Sequence, residues 1–461
     1  MMRRIISFTR DKFDYLKKHL VKGKNVDEEA AFLICGVSES EEKIMLLVRD
    51  VITVPDDALI SKGRSGLTIN PDFMSRVIKR CRLENLSIVL THSHPFSIGK
   101  VYFSGIDDFG EKVLFPKIQS RVPEQHHAAM VFGQSGLDAR IWLRGQSSSE
   151  CIDQVKVIGN HIEIYVPTSS QLTSAMKPEN IYTRQILAFT EEGQKKIQQT
   201  KVGIVGLGGI GSQVFQQLVH LGVKELILVD RDQIEESNHN RVVGATWEDI
   251  KLKRPKVEIM ERLGKGINPK VDLQTIQGDI CIKSVAQHLR NADVIFGCTD
   301  NMASRMVLTR IAPQYLIPVI DLGIDIQLMK DGKIRRIGGH VIILYPDGPC
   351  LNCLEFIDHE QLNYEISRYN GNIHFPYIQG DNENAPSVIS LNGVLASLAV
   401  TDFIYLVTGC FNVPKERTYR VFDGVKGIVK KINMMPTRDC NLCTEIRALG
   451  DSIDFPSFSD K

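Results

Sequence analysis

Three glycines constrain this chain more than any other feature. Gly206, Gly208 and Gly211 form a G-x-G-x-x-G run directly after an apolar stretch, Lys201–Val205, and directly before a helical pattern over 212–221. A second apolar run, 225–229, follows. Strand, glycine turn, helix and strand make a βαβ unit, which predicts a parallel, doubly wound sheet. Glycines there, Gly209 included, let backbone approach phosphate oxygens where a helix N-terminus offers unpaired N–H groups and a positive dipole. Asp230 closes the second strand, the place where a carboxylate holds ribose hydroxyls. To this point an NAD-dependent oxidoreductase and an ATP enzyme fit equally.

At 461 residues the chain is too long for one ordinary core, so two or three domains are expected. A composition of 43% hydrophobic and 24% charged residues excludes disorder and collagen-like repeats. With 56 basic against 55 acidic residues, the chain carries no overall electrostatic footprint for nucleic acid or anionic membrane. No run of about 18 apolar residues occurs, and charges interrupt the first 18 residues, so the expected location is the cytoplasm. Four of the ten cysteines form two Cys-x-x-Cys pairs, which in a reducing compartment points to metal before disulfide.

Along the chain, residues 30–54 read as a hairpin, Pro71–Glu84 as a helix, 86–90 as a strand ending in Thr91-His92-Ser93-His94-Pro95, and 127–132, 139–143 and 161–166 as further strands. This mixed order predicts a compact α+β domain. Residues 167–179 turn polar and hold two prolines, marking a boundary. The expected organisation is a domain over 1–167, a linker over 168–180, a second domain over 181–449 and a flexible tail over 450–461.

Beyond the glycine loop stand Asn238, Asn240 and Arg241, then Pro255 and Lys256, then Cys298-Thr299-Asp300-Asn301. With VGIVGLGGIGSQV, LVDRDQIEESNHNRV, RPKVE, INP and CTDN in order, residues 180–447 resemble the ThiF/MoeB superfamily, the adenylating domain of ubiquitin-activating enzymes. The resemblance implies a Rossmann-like fold, ATP and Mg²⁺, and attack of a protein's C-terminal carboxylate on the ATP α-phosphate. It assigns ribose to Asp230, with Asp232 beside it, phosphates to Asn238, Arg241 and Lys256, and magnesium to Asp300, with Asn301 next to it. Tyr182-Thr183-Arg184-Gln185-Ile186 resembles that family's N-terminal helix, which implies that Arg184 acts across a homodimer interface.

Cys350 with Cys353 and Cys440 with Cys443 can supply four thiolates to one tetrahedral zinc, a closed and therefore structural site. Relatives carry a structural zinc on pairs in these places. Many also carry an acyl-accepting cysteine between the pairs, but here 354–409 holds none. Where that nucleophile would stand the chain reads Asp381-Asn382-Glu383-Asn384-Ala385-Pro386-Ser387, which leaves direct transfer from the adenylate or an oxyester on Ser387.

A second constellation precedes all this: His92, His94, Ser104 and Asp107. Two imidazoles and a carboxylate leave a zinc ion one position for water, the layout of a hydrolytic site. With Pro95 and an upstream glutamate it resembles the JAMM (JAB, MPN+) metalloprotease pattern, although the spacer 95–103 is longer than usual. Glu29 opens an E-x-x-x-L-x-x-G frame ending at Gly36, with Glu28 as the competing choice. The resemblance implies a cytidine-deaminase-like α+β fold, a glutamate general base and Ser104 as oxyanion donor.

Together the halves resemble the fused JAMM and ThiF-type proteins of bacterial ubiquitin-like conjugation operons, for which antiphage defence is one setting. The expected function is a bifunctional enzyme that adenylates the C-terminus of a ubiquitin-like β-grasp protein and hydrolyses at that C-terminus. It would use one catalytic and one structural Zn²⁺, with a conjugating enzyme as a further partner. The alternatives are a sulfur-carrier activator of thiamine or molybdopterin biosynthesis and, more distantly, the oxidoreductase.

Overall fold

The computed structural model describes residues 2–23, 27–64, 66–170, 179–369, 386–410, 419–432 and 440–460. The chain divides into two compact units. The first is Met1–Ala175 with Gln314–Leu316 and Ile446–Asp454; the second is Met176–Pro313, Ile317–Glu445 and Phe455–Lys461.

The first unit runs β1 (Arg3–Thr9), α1 (Arg10–Leu20), β2 (Ala30–Glu39), β3 (Lys43–Thr53), β4 (Leu59–Gly63), β5 (Gly66–Ile69), α2 (Pro71–Glu84), β6 (Ser87–Ser93), α3 (Gly105–Arg121), β7 (His127–Phe132), β8 (Leu137–Trp142), β9 (Ser149–Cys151), β10 (Gln154–Ile158) and β11 (Ile162–Tyr165). Apart from the β4–β5 hairpin, the strands form one sheet in the order β11-β10-β1-β3-β2-β6-β7-β8-β9. The hairpin expected over 30–54 is the antiparallel β2–β3 pair. Helix α2 starts where its sequence dictates: the Asn70 side chain accepts from the Asp72 N–H, Pro71 fills the first turn, and Asn85 at φ 52° ends it. Alternate residues of β2 feed two cores. Leu33, Cys35 and Val37 pack with Phe13 and Leu16 of α1, while Phe32 and Ile34 join the cluster of Val77, Ile78 and Phe115 from α2 and α3.

The second unit runs α4 (Thr183–Gln199), β12 (Lys201–Val205), α5 (Gly211–Leu221), β13 (Glu225–Asp230), α6 (Trp247–Lys251), α7 (Lys256–Ile267), β14 (Asp272–Gln277), α8 (Lys283–Ala286), β15 (Val294–Gly297), α9 (Met302–Tyr315), β16 (Val319–Leu328), β17 (Ile334–Leu344), α10 (His359–Tyr369), α11 (Ile389–Thr408), β18 (Tyr419–Asp423), β19 (Ile428–Lys431) and α12 (Asn441–Glu445). The sheet order is β14-β13-β12-β15-β16-β17-β18-β19. The first five strands are parallel and the last three antiparallel. This is the doubly wound α/β architecture expected from the glycine loop. β12 lies between β13 and β15, so the strand order reverses there and opens a crevice at the strands' carboxyl ends.

Helix α4 is interrupted: Thr190 sits at φ 68°, ψ 166°, and the helix resumes beyond it. Helix α11 is long and apolar enough to cross a membrane by composition alone. It packs on α4, α5 and β16, and its buried Asp402 is ion-paired with Arg420 of β18.

The tail expected to be flexible from 450 is instead hydrogen-bonded. In the first unit the Gly36 N–H donates to the Ala448 carbonyl at 3.1 Å and the Asp451 N–H to the Val37 carbonyl at 2.6 Å. In the second unit the Phe458 N–H donates to the Cys281 carbonyl and the Lys283 N–H to the Ser459 carbonyl, each at 2.8 Å. Backbone groups hold this segment, so apolar periodicity carried no sign of it. Of the linker expected at 168–180, residues 171–178 lie outside the described residues.

Candidate functional site

A cleft of about 590 Å³ opens at the carboxyl ends of β12, β13 and β15. Gly206, Gly208, Gly209, Asp230, Asp232, Asn238, Arg241, Lys256, Asp300 and Asn301 all line it. Gly211 starts α5 at the loop's end. A Cβ on it would lie 1.8 Å from the Gly206 carbonyl oxygen, and Gly206 itself holds φ +87°, so the turn tolerates no side chain at either position. Nothing lies within 4 Å of where a Gly208 Cβ would stand, which leaves room for a phosphate.

Asp230 is 8% exposed. Its oxygens accept from the Leu207 N–H at 2.6 Å and the Asp232 N–H at 2.8 Å. Burial pushes its carboxyl pKa up, opposed by Lys256 and those two N–H groups. Lys256, first residue of α7, donates to Asp232 Oδ2 at 2.8 Å. The Arg241 guanidinium rests on the Ser237 carbonyl. Asn301 accepts from the Ser304 N–H at 2.8 Å and so orients the start of α9, next to Asp300. Asp300 lines the cleft with the glycine loop and offers the hard carboxylate oxygen that Mg²⁺ takes, so it fits that ion.

Ser387 also lines the cleft, and its Oγ accepts from buried Asn392 at 3.1 Å. Among the described residues no imidazole or carboxylate hydrogen-bonds it; residues 381–385 lie outside them. Burial raises the thiol pKa of Cys298, which lines the cleft, and pushes that of Cys281 up to about 12, so both stay protonated near neutrality. Cys410 is exposed beyond α11. Arg184 is exposed on α4 and is not part of this cleft.

Sequence reasoning missed five polar lining residues, Arg231, Asp279, Ser304, Arg305 and Asn392. Asp279 accepts from Arg231 and from the Tyr369 hydroxyl, each at 2.8 Å. Only the position of Asp279 just after a strand end, in GDI, could have flagged it.

The four expected cysteines converge. Sγ–Sγ distances are 3.5 Å for Cys350–Cys353, 3.7 Å for Cys350–Cys440 and 3.5 Å for Cys353–Cys443. A zinc tetrahedron with Zn–S of about 2.3 Å has edges of about 3.8 Å, so the set fits zinc and no disulfide.

In the first unit His92 Nε2 stands 3.2 Å from His94 Nε2 and 3.0 Å from Asp107 Oδ1, while His94 Nε2 is 3.3 Å from Asp107 Oδ2. Ligand arms of about 2.05 Å give tetrahedral edges of about 3.3 Å, so these three fit a zinc ion as well.

Two assignments around this cluster need correction. Ala30 is paired with His92 across the β2–β6 ladder, so their side chains share a face. Glu28, two residues earlier, shares that parity; Glu29 does not. Accordingly Glu28 Oε1 lies 4.0 Å from His94 Nε2, buried at 6% exposure, and burial raises its pKa. Glu29 turns to Lys22 at 2.7 Å and Lys62 at 2.9 Å. The glutamate at the cluster is Glu28. Ser104 is the N-cap of α3, and its hydroxyl donates to Asp107 Oδ2 at 2.7 Å, so in this structure its proton is committed to that carboxylate and not to an oxyanion.

Comparisons with known proteins bear on the second unit. Residues 182–444 match the ThiF family. The SAMP-activating enzyme E1 of Haloferax volcanii is 31% identical over 175 residues, 38% of this chain and 60% of that enzyme. The sulfur carrier protein ThiS adenylyltransferase of Escherichia coli is 27% identical over 269 residues, 57% of this chain and 94% of that protein. The crystal structure of E. coli MccB with ATP aligns at a TM-score of 0.45 and 22% identity, covering 58% of this chain and 75% of that one. With a family match across more than half its length, over the same residues that build the glycine-loop cleft, the chain belongs to the ThiF family.

Proposed function

We propose that the second unit adenylates the C-terminal carboxylate of a small carrier protein of the sulfur-carrier or ubiquitin-like class. The observation that carries this reading is the convergence of the glycine loop, Asp230, Arg241, Lys256 and Asp300 on one cleft. A carboxylate oxygen of the carrier attacks the α-phosphorus of ATP, the bond from that phosphorus to the β-phosphate bridging oxygen breaks, and acyl-adenylate and pyrophosphate result. The loop N–H groups and Asn238 position the phosphates, Arg241 and Lys256 counter their charge, and Asp230 holds the ribose. Mg²⁺, held through Asp300, supplies further charge neutralisation. Arg241 and Asp300 in one cleft favour a nucleoside triphosphate over a dinucleotide. The acyl group either leaves directly from the adenylate or passes through Ser387.

The named relatives act on ThiS and on SAMP, which supports the sulfur-carrier reading better than the conjugation-operon reading. The test is ATP–pyrophosphate exchange by the full chain with E. coli ThiS and Haloferax SAMP as carriers. Exchange that needs a carrier with an intact C-terminus supports the reading; NADH turnover without exchange would replace it.

A second reading concerns the first unit, motivated by Glu28 beside the His92, His94 and Asp107 cluster. It is zinc-dependent hydrolysis at the carrier's C-terminus, by trimming or deconjugation. His92, His94 and Asp107 would hold the ion, which supplies Lewis acidity when bound, and Glu28 would take the proton from the attacking water. If trimming precedes adenylation, tethering the two activities raises the local concentration of one enzyme's product at the other.

A further inference from the structure

Among the described residues four basic side chains line the nucleotide cleft, and three have an evident task. Arg231 is paired with Asp279, Lys256 stands with Asp232 beside Asp230, and Arg241 lies against the glycine loop at Gly209. The fourth, Arg305, projects from the first turn of α9 and is 8% exposed. It is on the β15–β16 side of β12, whereas Asp230 and Lys256 are on the β13 side.

Arg305 is ion-paired with Asp321, but through one long contact that leaves the rest of its fork, one bond to the Thr299 carbonyl aside, unengaged among the described residues. Among the described residues its guanidinium donates one hydrogen bond, from Nη2 to the Thr299 carbonyl at 3.2 Å. Its Nε is 3.5 Å from Asp321 Oδ1, and both atoms are buried without a hydrogen-bond partner. Asp321, 1% exposed, is fixed through its other oxygen by His340 Nε2 at 2.8 Å. Phe356, three residues after Cys353, lies under the guanidinium at 5.5 Å and meets the His340 ring edge-on at 4.4 Å. Gly323 makes room for both: a Cβ there would lie 2.6 Å from Arg305 Nη2 and 2.8 Å from His340 Cε1. Beyond the long Asp321 contact and the Thr299 carbonyl, no partner among the described residues takes the guanidinium's donors, which leaves its fork able to bind a second anion from the cleft.

Resting on the adenylation reading, we infer that Arg305 receives the carrier's C-terminal carboxylate, with Asp321 and His340 as positioning residues. Adenylation must bring that carboxylate against a triphosphate, and two anions approach only if each has its own cation. Arg241, Lys256 and the ion at Asp300 serve the phosphates. Arg305, across the glycine loop, is, among the described residues, the cation left for the nucleophile, and its planar fork matches a carboxylate.

The test uses the full chain with Mg²⁺ and the non-hydrolysable analogue AMPCPP, and two probes: triglycine and triglycinamide, which differ only in terminal charge. Binding of each is followed by saturation-transfer NMR. The wild type should prefer triglycine by about tenfold or more, the effect of one charge-assisted bidentate pair. Arg305→Gln should lose that preference while holding AMPCPP within about threefold of wild type. Lost AMPCPP binding identifies a misfolded variant, and then Arg305→Lys, which keeps charge but not the fork, carries the test through a reduced preference. A preference undiminished in Arg305→Gln, or in Arg305→Lys where it carries the test, overturns the proposal; so does a wild type that binds AMPCPP but neither peptide. A wild type that fails to bind AMPCPP instead sinks the adenylation reading itself.

Discussion

Asp300 and Arg241 stand in the cleft without filling a core, so their removal separates chemistry from folding. Asp300→Ala and Arg241→Ala should each lower ATP–pyrophosphate exchange by about a hundredfold or more while leaving zinc content and melting temperature near wild type. Exchange retained in both would place the nucleotide elsewhere. Glu28 and Glu29 offer a sharper contrast, because they differ only in strand parity. On the hydrolase reading proposed for the first unit, Glu28→Gln should keep zinc there and lose peptide hydrolysis, whereas Glu29→Gln should keep both. Metal analysis with a cleavage assay on a carrier extended past its C-terminus reads the difference, and the reverse pattern would show that parity misleads here. The same pair marks the limit of the sequence at this scale. Asp230 could be placed from the end of the second strand, whereas Arg241 and Asp300 were picked out only by the resemblance to the ThiF/MoeB motifs; all three line the cleft. The choice between Glu28 and Glu29 was not legible, because the side of the sheet a residue faces depends on the Ala30–His92 register, a long-range pairing. Arg305 and Asp321 were hidden for a like reason, since 16 positions of chain separate two halves of one ion pair.

Strands and helices were readable where apolar runs met punctuation. β12, α5 and β13 announce themselves through glycine and Val/Ile/Leu content, and α2 through Asn70, Pro71 and Asn85. β1 and α1 escaped notice because Arg3, Arg4, Arg10 and Asp11 break the apolar pattern, yet β1 lies inside the sheet between β10 and β3. The residues 446–454 escaped because backbone hydrogen bonds, which carry no sequence signal, bind them to β2. The Cys-x-x-Cys turns were legible as a pair, although 87 positions separate Cys353 from Cys440, because thiolate spacing states its own chemistry. Their element-level role gives a prediction. Cys350→Ser, or chelation of the wild type, should release one zinc and lower the melting temperature by more than about 5 °C, because a structural ion contributes folding free energy directly. Calorimetry with zinc added back is the check: an unchanged melting temperature after proven metal loss would leave the cluster without a structural task.

At the scale of the molecule, the two units are each assembled from discontinuous stretches of chain, which no linear reading of composition or linkers could foresee. One assembly question is nonetheless approachable from the residues. Arg184 is exposed on α4, outside its own chain's cleft, and on the same segment Ile181 and Leu187 are 74% and 85% exposed. Such exposed apolar residues beside a cation motivate a test of the expectation that Arg184 acts across an interface between two copies of the chain. Mixing Arg184→Ala subunits with Asp300→Ala subunits tests it. In a heterodimer one cleft keeps its own Asp300 and receives Arg184 from the other subunit, while the second cleft lacks both. Random association makes half the dimers mixed, each with one working cleft of two, so exchange should recover to about a quarter of wild type from two inactive parents. If Arg184 instead serves its own chain, every cleft in the mixture lacks one group or the other. A mixture that stays inactive, with heterodimers verified by differential tags, would end the case for action across the interface.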